Sequence, residues 1–227
     1  MILSSLKNYL DFNVVSPSIK YLSLVAFFTG IILSYFYTVF VILQKYAGYS
    51  EFIIGLIASF GPLGLIFSGF FVTKLLKKLG FYKIIFISTL TQGACIVLMF
   101  AFFNPINLSF WIFILGIMGG LTWMTMDTWV NIVSNNSNRG KSIGIYNSSV
   151  TLGLAMGPLI VGIFGISGRI PLVVCLLLIT FKIISLISIK KFVNQVIIPD
   201  QSSKMKFSIL MISPFVFFAI FCAGIED

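Results

Sequence analysis

The chain of 227 residues is 59% hydrophobic and only 9% charged, with a mean hydropathy of +1.09. A water-facing domain carries about 25% charged residues, so this composition excludes a soluble globular protein and makes lipid the solvent. The net charge of +9 could mark a nucleic-acid partner, a reading that the placement of the basic residues rejects below.

In chain order, residues 1–20 read as a cytoplasmic segment in which Lys7 and Asp11 interrupt any signal-peptide apolar region. A helix crossing the hydrocarbon needs about 20 mostly apolar residues. Such runs are predicted at residues 21–43, 52–73, 84–103, 108–132, 142–167 and 170–189, followed by a seventh at 207–225. The runs are continuously apolar, not alternating as a membrane barrel requires, and open sheets leave unpaired backbone in lipid. The fold class is therefore all-α. It is a polytopic membrane bundle of six transmembrane helices, arranged as two three-helix repeats, plus the start of a seventh. Residues 21–189 form the six-helix bundle, 190–206 a polar cytoplasmic linker containing Pro199, and 207–227 a truncated seventh helix.

Basic residues fall almost wholly on one set of connections. Lys7 and Lys20, then Lys74, Lys77, Lys78 and Lys83, then Arg139 and Lys141, then Lys190, Lys191, Lys204 and Lys206 alternate with loops holding only Lys45 and Arg169. The positive-inside bias puts the first set, and with it the N-terminus, in the cytoplasm. The charge thus serves topology and contact with anionic lipid heads, and no nucleic-acid partner is expected.

Several residues stand out against the apolar background. The second span contains Gly61-Pro62 and the fifth Gly157-Pro158, at matching places in two three-helix sets. Gly/Pro interruptions in corresponding segments point to a transporter of inverted repeats, although so short an echo also arises by chance. On the fifth span Ser149, Gly153, Gly157 and Gly165 recur at multiples of four, a small-residue face that admits a close neighbour. On the fourth, Gly116, Gly119, Trp123, Asp127 and Asn131 fall on one stripe. Asp127 is the one acid inside a complete span, and a carboxylate there costs at least about 2.5–3.5 kcal/mol at the bilayer centre. It either binds a proton or a cationic group, or pairs with Arg139, Lys141 or a helix end to lock a cytoplasmic gate; the lock is favoured. Lys182 reads as snorkelling to the cytoplasmic interface. Tyr35, Tyr37 and Gln44 either line a cavity or, the favoured reading, anchor the interface. Cys95, Cys175 and Cys222 read as small buried hydrophobes. With no histidine and one intramembrane acid, neither a nucleophile–base pair nor a metal site can be assembled, so no enzyme activity, metal or cofactor is expected.

The longer pattern Gly144, Gly153, Gly157-Pro158, Gly162 resembles the fifth-helix motif of the major facilitator superfamily, departing at Val161. The connection carrying Gly69, Lys74, Lys77, Lys78, Gly80 and Lys83 resembles a degenerate form of that family's cytoplasmic loop motif, with Thr73 near the place of the usual acid. The run Asp127-Thr128-Trp129-Val130-Asn131, then Arg139-Gly140-Lys141 and Tyr146, is similar to a bacterial YcaD-like branch of unknown substrate. The resemblance covers nearly the whole chain as the N-terminal half of a twelve-helix protein. It implies a secondary transporter of a small solute working by alternating access in a bacterial inner membrane, with proton-coupled efflux suggested by the glycine motif. Asp127, Asn131, Trp123 and Tyr35 are then candidates for substrate or proton coupling. Gly61, Pro62 and the fifth-helix motif form the conformational surface. Gly69, Lys74, Gly80, Lys83, Arg139 and Lys141 form a cytoplasmic latch. The expected partners are the bilayer, a small-molecule substrate, and a second transporter half or a second copy of the chain. The alternative is a truncated, non-transporting remnant or membrane scaffold.

Overall fold

The computed structural model describes residues 17–134 and 138–190. These form six helices: α1 (Pro17–Tyr46), α2 (Glu51–Gly69), α3 (Val72–Ala101), α4 (Pro105–Val133), α5 (Arg139–Phe164) and α6 (Ile170–Ile189). All six are long and apolar enough to cross a bilayer. The earlier N-terminal residues, most of the linker, the seventh span and Cys222 lie outside the described residues.

Lipid cannot hydrogen-bond a free backbone group, so each apolar run closes its own i→i−4 ladder. Intramembrane hydroxyls follow the same rule by bonding carbonyls four residues back: Thr29 to Val25 at 2.8 Å, Thr38 to Ser34 at 2.8 Å, Thr89 to Ile85 at 2.7 Å. Polar caps set the helix ends. The Ser50 hydroxyl accepts from the Ile53 amide at 3.4 Å to start α2, and Asn104 Oδ1 accepts from the Asn107 amide at 3.1 Å to start α4, with Pro105 in the first turn. At that end of the bundle the Tyr49 hydroxyl also donates to the Phe103 carbonyl at 3.3 Å, tying the α1–α2 link to the α3–α4 link.

Two expectations change. The basic stretch after α2 is not a loop. Helix resumes at Val72 and runs on, with a single break at Gly80 (φ 76°, ψ 166°), a backbone region that is essentially glycine-only. Lys74, Lys77 and Lys78 occupy the exposed side of this short piece, and Leu76 is buried. Beyond the break Phe81 is buried and packs on Trp129 of α4, their rings 5.6 Å apart. Gly165 is not part of the α5 face either; at φ 70° it terminates the helix.

Packing follows a pseudo-twofold pattern. α1 packs most extensively on α5, and α2 on α4; α4 meets α3 as α1 meets α6. Exchanging the first three helices with the last three reproduces these pairings. Glycines make the two closest crossings. Gly153 and Gly157 lie against the α1 backbone from Phe27 to Tyr35, and Gly30 lies against Val150 to Leu154. Gly116 lies against the Gly61 backbone, and Gly64 against Phe113 to Ile117. Without an aqueous hydrophobic effect to drive helices together, such close approach supplies the dispersion contact that holds them. Pro62 and Pro158 are each accommodated inside a continuous helix.

Candidate functional site

Between these crossings the bundle forms a part-open cavity of about 370 Å³. Its wall is mostly aliphatic and aromatic, with Ile32, Leu33 and Phe36 from α1, Leu65 and Ile66 from α2, and Leu115 from α4. Five residues bring polar atoms to it: Thr29 and Tyr37 of α1, Gln92 of α3, Trp123 of α4 and Lys182 of α6. Few polar groups converging within apolar walls is the usual build of a small-molecule site, and the volume lies near the low end of the common range of about 300–1,000 Å³.

Lys182 does not snorkel. Its side chain is fully buried and donates to Gln92 Oε1 at 3.3 Å. The reason is depth: it lies seven positions before Ile189, roughly 10 Å along a helix axis, and the side of α6 that carries it faces α3. Among the described residues it makes no ion pair; Lys45 and Glu51 pair at 3.5 Å on the exposed link between α1 and α2. Tyr35 and Gln44 are likewise buried and not interfacial. Tyr35 belongs to the hydrophobic core with Phe36, Ile96, Ile112 and Leu178, while Tyr37, two residues on, turns to the cavity and Gly61.

The stripe on α4 divides. Gly116, Gly119 and Trp123 reach the cavity, whereas Asp127 and Asn131 continue past it toward the end of the bundle. There the Tyr146 hydroxyl of α5 donates to Asp127 Oδ1 at 2.7 Å, and Tyr146 is buried. Arg139 donates to Asn131 Oδ1 at 2.9 Å, and Asn131 Nδ2 donates to the Asp127 carbonyl at 2.8 Å. The α4–α5 junction is thus tied by two side-chain links across two helices. The acid's bond is to a phenol and not to Arg139, which goes to Asn131. Lys74 and Lys83 stand exposed, and Gly69 comes within 3.8 Å of Met124 as measured from an added Cβ. Cys95 and Cys175 are buried free thiols, and no cluster able to hold a metal occurs among the described residues.

The profile of the Major Facilitator Superfamily matches residues 22–225. The chain belongs to that superfamily and is an integral membrane protein. An uncharacterised MFS-type transporter of Bacillus subtilis (strain 168), YfkF, is 32% identical over 132 residues, which make up 56% of this chain and 32% of YfkF. The match therefore spans about a third of that relative's length.

Within the superfamily fold the fifth-helix glycines serve two different surfaces. Gly153 and Gly157 are buried against α1, whereas Gly144 and Gly162 are exposed with open space around them. α5 and α2, the two helices bearing Gly-Pro, are the least buried of the six. The pair that the sequence reading missed is Gln92 with Lys182. A polar residue near mid-span in α3 and another near mid-span in α6, the third helix of each repeat, was the available signal.

Proposed function

We propose that the chain acts as the N-terminal half of a secondary active transporter that carries a small solute through the central cavity. The observation that supports this best is the cavity itself, which is bounded by helices of both repeats and concentrates polar atoms within an apolar wall. Inverted-repeat transporters hold their substrate near the midplane and rock one bundle against another around it. The exposed faces of α2 and α5 are the surfaces on which a second bundle would move. On this reading Gly144 and Gly162 keep the α5 surface smooth. The Asp127–Tyr146 and Asn131–Arg139 links hold α4 and α5 together at the cytoplasmic end, where the basic links face the inside of a bacterial inner membrane. The run from Asp127 to Tyr146 supports kinship with the YcaD-like branch, and the glycine motif supports proton-coupled efflux.

The test is cysteine accessibility in the native membrane. Cys95, Cys175 and Cys222 are replaced by alanine, and one cysteine is introduced at the cavity residue Leu33. Alternating access requires that an impermeant maleimide label it from the outside in intact cells and from the inside in inverted vesicles. Labelling confined to one side under every condition refutes a transporter and leaves a static scaffold.

A further inference from the structure

The cavity is lined by one lysine that has, among the described residues, no acidic partner. Lys182 is fully buried, and Gln92 Oε1 takes one of its three ammonium hydrogens at 3.3 Å. The described acids are engaged elsewhere: Glu51 with Lys45 on an exposed link, and Asp127 with Tyr146. A buried cation whose sole partner is a neutral amide is poorly compensated, because the amide satisfies a hydrogen bond but not the charge.

Gln92 completes the arrangement. Since its carbonyl oxygen faces the ammonium, its NH₂ lies on the other side of the amide, toward Gly119 of α4, 3.9 Å from where a Cβ would stand. The bare glycine leaves room beside two unused amide donors, and Trp123 follows one turn along the same wall. The site thus offers N–H donors and positive charge but few acceptors, set among Leu33, Phe36 and Ile66.

We infer that the cavity takes a small organic anion, a carboxylate or similar group on an apolar body, with the anionic group held by Lys182 and the Gln92 amide. This inference rests on the reading of the cavity as the solute site. A cation would be repelled by the ammonium form of Lys182, and a neutral solute would offer that form no opposite charge. An entering anion completes the ion pair in a low-dielectric wall where charge-assisted hydrogen bonds are strongest.

Trp123 supplies the readout. The purified full chain in phosphatidylcholine nanodiscs is titrated with 6-bromohexanoate, 6-bromohexanol and 6-bromohexylamine, whose bromine quenches indole fluorescence. The expected result is saturable quenching by the carboxylate, weaker by about tenfold or more for the alcohol and the amine. Trp123→Phe should remove the saturable component. Lys182→Arg should retain it and Lys182→Met should lose it. The comparison of the three probes needs no variant, so it stands even if Lys182→Met misfolds. Equal quenching by all three overturns the anion assignment while leaving the cavity as a solute site. No saturable quenching by any of them overturns both. If phosphatidylglycerol nanodiscs abolish the carboxylate signal, the occupant is a lipid headgroup, and the small-solute inference fails.

Discussion

Gly153→Ala is the sharpest perturbation of the bundle. An added Cβ would press on the Phe27 carbonyl oxygen and stand 3.1 Å from the Ile31 nitrogen and the Phe27 carbonyl carbon. Every one of these atoms is α1 backbone, so no side-chain rotation relieves the clash, and ordinary contact lies near 3.5–4.0 Å. The two helices must part by about 1 Å across the most extensive interface in the bundle. Overpacking of this kind costs about 1–3 kcal/mol. For a chain of this size that lowers the melting temperature by about 2–12 °C, taking 2–4 °C per kcal/mol. Gly162→Ala is the control within the same motif. Nothing lies within 4 Å of its added Cβ, so only the helix propensity gain of up to about 1 kcal/mol operates. Thermal unfolding in detergent, read by fluorescence-detected size exclusion, compares the two. The reasoning fails if Gly153→Ala is as stable as the parent chain, or if Gly162→Ala falls as far.

The remaining predictions concern the links and the transport surface. Gly144→Ala and Gly162→Ala should leave bundle stability unchanged or slightly raised, yet slow solute exchange in vesicles if α5 slides on a second bundle; equal exchange rates would reject that surface. Asp127→Ala strands a buried phenol and should cost about 1–3 kcal/mol, with a coupling energy to Tyr146→Phe of about 0.5–3 kcal/mol in a double-mutant thermal-unfolding cycle. Additive effects would mean the 2.7 Å bond contributes nothing net. Gly80→Ala forces a side chain onto positive φ and should destabilise by about 1–3 kcal/mol, seen as faster proteolysis after Lys77 or Lys78. By contrast, Glu51→Gln breaks a largely exposed ion pair and should leave the melting curve unmoved.

The six helices were legible because lipid imposes one rule on every apolar run, and each described helix encloses or nearly encloses its predicted run. The piece from Val72 to Gly80 escaped because a search for 20 apolar residues overlooks a short amphipathic helix. Lys74, Lys77 and Lys78 face out while Leu75, Leu76 and Leu79 turn inward at helical spacing. The α4 stripe was legible as a face, but its division between a cavity and a helix junction was not, since spacing does not say how far a cavity extends. Tyr35 and Tyr37 stand about 200° apart around α1, and nothing local tells which of the two meets the core. Gln92 and Lys182 lie ninety positions apart in the sequence. Their meeting depends on α3 packing against α6, a tertiary fact with no short-range trace.

The interlocked pairing of α1 with α5 and α2 with α4 has a consequence for biosynthesis. Neither three-helix repeat contains its own best partner, since the middle helix of each is gripped by the first helix of the other. More than a hundred residues separate Gly30 from Gly153, so at about 5–20 residues per second α1 waits roughly 6–25 s in the bilayer before α5 emerges. During that interval the groove around Gly30 faces lipid or the insertion machinery. A ribosome stalled before α5 should therefore leave α1 spanning but loosely held, and release of the stall should be followed by its capture.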